Sequence, residues 1–245
     1  MMPALELFRP HHLELRKRLI RSFAAIALGT GIAYFFIDQL AIFCTAPLFE
    51  AAPNLKHLVY TKLTDAFISY IKLALLFGIT ASFPYLLYQA WMFISPGLLD
   101  KERKLVRRIL FWATGLFTAG ALFSFFIVLP RTLVFFMSYA GENLQPMPKI
   151  SLYLTFVARL VLAFALAFEI PFLMVMSSVA GLVQPDHFKA KRKYFYIAII
   201  VLSFLLTAGE VTATVLLAIP LFGLHEAGIL AGRIFVQKKE RKEED

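Results

Sequence analysis

Two carboxylates stand among a crowd of cations, each just ahead of a long apolar run. Glu14 lies in HHLELRKRL, His11 to Leu19, and Glu102 lies in DKERK, Asp100 to Lys104, inside a charged turn from Ser95 to Arg108. Carboxylates so placed, with Arg16 and Arg103 as neighbours, can accept bidentate hydrogen bonds from guanidinium groups. The planar guanidinium fork matches two oxygens in a way that an ammonium does not. The same residues also have a purely local account. Glu14 can pair with Arg18 one helical turn on, and Glu102 can favour the dipole of a helix capped by Asp100. Spacing alone leaves both accounts open.

Glu169 is the most expensive residue in the chain. It falls 15 residues into an apolar run, about 22 Å below the run's outer end, too deep for a carboxylate to reach either membrane surface. Arg159, ten residues back in the same run, cannot reach it. The carboxyl must then be neutral or hydrogen-bonded to a polar group on another helix or partner, or it fills the kink that Pro171 opens. Lys72 and Arg159 lie nearer the run ends and can snorkel. Motifs for a hydrolase, a zinc protease or a phosphate loop are missing, and none of the five histidines falls at mid-membrane depth, so an enzyme, a metal and a cofactor are not expected.

The elements that position these groups are apolar helices. The 245 residues are 60% hydrophobic and 17% charged, with a mean hydropathy of +0.73, more apolar surface than a soluble fold of this size can hide. Six segments emerge, at about 22–42, 66–94, 109–129, 154–182, 195–207 and 212–230. The chain is expected to be all-α, with residues 1–232 a single six-helix transmembrane domain and 233–245 a charged cytoplasmic tail, disordered from Lys238 on. The first four segments match the roughly 20 residues that a bilayer core requires. The fifth and sixth are short, the sixth being apolar only as far as Leu224, and such a pair should thin the membrane or draw in water. Pro84, Pro171 and Pro220 permit kinks within the segments, and Gly228 and Gly232 can let helices approach closely. Cys44 is the only cysteine, so no internal disulfide can form.

Charge sets the orientation. Five Lys and Arg precede Ser22, five lie in 95–108, four in 183–194 and five from Arg233 onward, whereas 43–65 and 130–153 carry two each. Four basic clusters beside apolar runs suit anionic lipid headgroups better than nucleic acid. By the positive-inside rule the four rich segments, and both termini, face the cytoplasm. Residues 195–231 must then cross twice, turning at Ala208, Gly209 and Glu210.

At these residues the chain resembles the TatC family, the polytopic core of the twin-arginine protein translocase. The likeness runs through HLELRKRL at His12 to Leu19, AFISYIKL at Ala66 to Leu73 and PYLLYQAWMFI at Pro84 to Ile94. It continues through SPGLLDKER at Ser95 to Arg103, FEIP at Phe168 to Pro171 and LLAIPL at Leu216 to Leu221.

The resemblance implies a concave, glove-like six-helix protein of the bacterial inner membrane. It implies a receptor for signal peptides bearing two consecutive arginines, working with TatA and TatB single-span partners and self-associating. Export of folded proteins would be driven by the proton-motive force. Carried onto this sequence, Glu14 and Glu102, with Arg16 and Arg103, would bind the signal peptide. Glu169, Glu210, Thr207 and Thr214 would be intramembrane polar contacts for partners, and Pro47, Lys72, Gln89 and Pro96 match further family positions. The chain departs from the family at Thr207 to Glu210, where many members carry a proline-containing turn ending in aspartate, and at Thr214, which is often glutamine. The competing reading from residues alone is an ion-coupled small-molecule permease with Glu169 as proton carrier.

Overall fold

The computed structural model describes residues 3–55, 57–94, 103–138, 146–179, 183–207 and 211–244. Nearly all of them are helical. The chain forms two compact units, Met1–Cys44 with Tyr60–Gly115, and Thr45–Val59 with Leu116–Asp245.

In the first unit, α1 (Pro3–Phe35) packs along α3 (Asp65–Ile94). Small residues bring the backbones together: a Cβ added to Gly78 would lie 2.6 Å from the amide nitrogen of Thr30 and 2.8 Å from its Cα. Ser82 donates to the carbonyl of Ala25 at 2.9 Å, a hydroxyl-to-backbone bond of the kind that joins helices where lipid offers no alternative partner. The apolar segment expected over 22–42 is not one straight helix. α1 gives way at Phe36 to α2 (Ile37–Ala51) with a bend of 83°. The bend closes with a tight turn from the Phe36 amide to the Ala33 carbonyl, 3.1 Å, and Asp38 then sits in the first turn of α2, where the helix dipole favours an anion.

The second unit holds the remaining long helices, and prolines mark their irregularities. α4 (Arg103–Phe123), which begins in the first unit, passes into a π-helical turn, Ser124–Val128, before α5 (Leu129–Ser138). Pro130 cannot donate to the carbonyl four residues earlier, which falls inside that turn. Likewise α6 (Ile150–Ala167) breaks at Phe168 before α7 (Glu169–Val179), the break falling where the ring of Pro171 obstructs the carbonyl of Ala167. α4 and α6 nearly touch: a Cβ on Gly120 would lie 2.7 Å from the Phe164 carbonyl oxygen, and the Phe123 ring meets those of Phe164 and Phe168 at 6.1 and 5.5 Å.

α8 (Pro185–Ala190) and α9 (Arg192–Leu206) lead to α10 (Val211–Glu244). Gly228 does allow the close approach that its motif suggests, since a Cβ there would meet the Cα of Pro171 at 3.0 Å. α9, at 15 residues, is about 22 Å long and as short as expected. The sixth helix is not short. α10 runs for 34 residues, and its apolar window, Leu217–Ile234, continues past His225 and Glu226, which were expected to end it. Lys238 to Glu244, expected to be disordered, continue α10 as helix. Gln, Lys, Arg and Glu are good helix formers, and an existing helix needs no new nucleus.

By length and apolarity, four spans among the described residues can cross a bilayer: Asp65–Phe93, Leu110–Ser138, Ile150–Ser178 and Leu217–Ile234. A fifth is reached if the bent α1 and α2 pair is counted as one.

Candidate functional site

Glu14 lies on α1 ahead of its apolar stretch, and the helix spacing brings Arg18 onto it. The Arg18 Nε donates to Glu14 Oε1 at 3.2 Å and Nη2 donates to the same oxygen. The third guanidinium nitrogen reaches across to α3, where Nη1 meets Gln89 Oε1 at 3.5 Å. Gln89 is buried and its Nε2 donates to Tyr85 Oη at 2.6 Å. A chain of polar contacts thus runs Glu14, Arg18, Gln89, Tyr85, fixing the middle of α1 against the last turns of α3. Gln89 was legible in the sequence only as part of a motif, and its tie to Arg18 spans 71 positions. Arg16 is exposed and lines an open concavity with Leu13, Lys17, Ile20 and Arg21. Lys72 is exposed on α3. Glu102 and Pro96 lie outside the described residues, as does the side chain of Arg103.

In the second unit Glu169 begins α7 just past the Phe168 break. It is 7% exposed and Oε1 has no hydrogen-bond partner, while its carboxyl lies against the backbone of Phe117 in α4. Thr207 and Thr214 are brought together. Both are buried, and their hydroxyl oxygens are 2.8 Å apart. Thr207 also donates to the Ser203 carbonyl at 3.1 Å, so the pair closes the end of α9 onto the start of α10. Glu210 is outside the described residues. Pro47 is buried inside α2.

One polar cluster was missed from the sequence. Glu226 on α10 accepts from Tyr196 Oη at 2.6 Å and pairs with Arg192, both on α9. Beside it His225 is 1% exposed, lies edge-on to Phe195 and Tyr196 at 4.7 and 5.7 Å between ring centres, and has no hydrogen-bond partner on either ring nitrogen. Arg233 completes the region by pairing with Asp186 of α8 at 2.6 Å. The only advance signal was a His-Glu pair interrupting an apolar run opposite the basic stretch 189–193. These pairings explain how the apolar window survives the interruption, since the carboxylate meets its counter-charge on the neighbouring helix.

Long apolar helices that hold carboxylates, hydroxyls and guanidinium groups at their ends and contact faces define a multi-pass membrane protein. Comparison with known proteins narrows this class. The family model described as Sec-independent protein translocase protein (TatC) matches residues 10–220. The chain is 37% identical to the Sec-independent protein translocase protein TatC of Desulforapulum autotrophicum over 97% of its length and 88% of that protein's. It is 34% identical to the protein of the same name from Escherichia coli K12, covering 96% of the chain and 91% of the relative. The crystal structure of the twin arginine translocase receptor TatC superposes with a TM-score of 0.83 at 35% identity, over 92% of this chain and 99% of that one. The chain belongs to the TatC family, and its function is that of a component of the Sec-independent protein translocase.

Proposed function

We propose that this chain is the signal-peptide receptor of its translocase, set in the bacterial inner membrane with both termini cytoplasmic. The observation that carries the reading is the tethering of Glu14. Its carboxylate is partly exposed, yet it is tied through Arg18 and Gln89 to the last turns of α3, the helix that precedes Glu102 in the chain. A carboxylate held this way loses little side-chain freedom on meeting a ligand. Glu14 and Glu102 would accept the two guanidinium groups of a twin-arginine signal, with Arg16 and Arg103 shaping the rim, and the planar fork would explain a demand for arginine over lysine. The concentration of basic residues in four segments supports the orientation.

The buried carboxyl of Glu169, with its unpartnered Oε1, and the Thr207 and Thr214 pair are the polar groups within the bilayer that TatA and TatB type single-span helices would engage. Glu210 would extend that contact. Membership of a protein translocase family disfavours the permease alternative, since in a permease Glu169 alone would carry transport.

The test is export in a bacterium lacking its own TatC and supplied with this chain and its cognate partners. A folded fluorescent reporter behind a twin-arginine signal should reach the periplasm. Glu14→Ala and Glu102→Ala should each abolish its passage while protein levels stay constant; unimpaired export in both variants would refute the receptor site.

A further inference from the structure

Glu14 is already engaged by a guanidinium before any ligand arrives. Arg18 directs two of its three nitrogens to the single oxygen Oε1 and the third to Gln89. Its side chain is 15% exposed, against 34% for Glu14, so the arginine is the more deeply seated partner and the carboxylate the more accessible one. An arginine ligand approaching Glu14 therefore meets a carboxylate satisfied by the same chemical group that it brings.

We propose that Arg18 is a specificity-determining residue, a resident counter-ion that an incoming cation must displace or share, and that this requirement raises the discrimination between arginine and lysine signals. The inference rests on the carboxylate reading of the site given above. Arg18 competes from within the same helix, so it pays no translational entropy to pair with Glu14. A lysine ammonium offers one compact charge and no fork, and gains little by taking over an oxygen that two nitrogens already hold. A guanidinium can present two parallel donors, using Oε2, to which neither Arg18 bond runs, together with part of Oε1. The resident arginine thereby taxes every cation but taxes a non-forked one most. Gln89 makes the arrangement durable, because it holds the far nitrogen of Arg18 while its own amide is anchored on Tyr85.

The measurement is equilibrium binding of fluorescent Arg-Arg and Lys-Lys signal peptides to the full-length protein in detergent, for the wild type, Arg18→Gln, Arg18→Lys and Glu14→Gln. Arg18→Gln removes the competing charge and should tighten Lys-Lys binding by roughly tenfold, the scale of one charge-assisted hydrogen bond, while Arg-Arg binding tightens less. The Arg-Arg preference should fall accordingly. Arg18→Lys keeps the charge and length and so guards against a folding defect; it should lower the preference in the same direction by a smaller factor. A preference unchanged in both Arg18 variants, or Lys-Lys binding weakened in both, overturns the proposal. The Glu14→Gln arm separates the two levels. If Glu14→Gln erases the preference and the Arg18 variants do not alter it, the role of Arg18 alone is refuted. If Glu14→Gln leaves the preference intact, the carboxylate reading fails and the resident counter-ion fails with it.

Discussion

Tyr196 and Glu226, thirty positions apart, are joined by a 2.6 Å hydrogen bond from the phenol to Oε1. That bond lies near the start of α9, and the hydroxyl pair of Thr207 and Thr214 lies at the helix's far end. This 15-residue helix is thus stapled to α10 by polar contacts at both ends. A helix of 15 residues falls roughly 8 Å short of a bilayer core about 30 Å thick, and the staples hold it in register with α10 where its own length cannot.

Loss of the first staple should be graded. Tyr196→Phe removes one hydrogen bond to a charged acceptor and should cost about 1.5 kcal/mol. Glu226→Ala should cost more, about 2 to 3 kcal/mol, because it also strips the counter-charge from Arg192, whose Nε is already buried without a partner. Thermal unfolding in detergent should rank the melting temperatures wild type, Tyr196→Phe, Glu226→Ala.

The second staple is a pair and should behave as one. Thr207→Val and Thr214→Val should each destabilise by about 1 kcal/mol, and the double variant by less than the sum, with a coupling energy of about 0.5 to 1 kcal/mol. A double-mutant cycle on unfolding in a detergent and denaturant series measures it. Crosslinking of a TatB type helix to α9 should fall in both single variants.

Glycines separate close approach from idle flexibility. Gly78→Ala drives a Cβ against the backbone of Thr30 and should destabilise by about 2 kcal/mol or more. Gly31→Ala, whose Cβ would meet nothing within 4 Å, should be neutral or stabilising by about 0.5 to 1 kcal/mol. The melting temperature should fall for Gly78→Ala and hold or rise for Gly31→Ala.

Glu169 tests the intramembrane contact. Glu169→Gln keeps the shape and a hydrogen-bonding head and should retain most export, whereas Glu169→Leu should lose both export and partner crosslinking while the purified protein remains folded. A Glu169→Leu variant that exports normally would leave the carboxyl with a packing role alone.

The parts of this architecture that depend on local pattern were readable in advance. The second apolar segment, drawn at 66–94, is the helix Asp65–Ile94, and the Glu14 to Arg18 pair follows from i,i+4 spacing. What escaped depends on register between distant helices. Arg18 meets Gln89, and Arg192 meets Glu226, only after two helices have packed with a particular offset. No periodicity within one segment encodes that offset. The same blindness made His225 and Glu226 look like the end of an apolar helix, because their cost was counted without the neighbours that compensate it. The 83° bend at Phe36 was hidden for another reason. Hydropathy is continuous across it, and only a local turn with Asp38 beyond it marks the change of direction.

Recognition of paired guanidinium groups by Glu14 and Glu102 is the proposal on which the receptor function depends. Its most direct test is the equilibrium affinity of a twin-arginine signal peptide for the purified full-length protein, set against a Lys-Lys version and against Glu14→Ala and Glu102→Ala. The expected result is an Arg-Arg preference in the wild type and a loss of roughly tenfold to over a hundredfold in Arg-Arg affinity in each variant, the cost of a charge-assisted bidentate contact. Equal affinities for the two peptides, or variants that bind as tightly as the wild type, would contradict it.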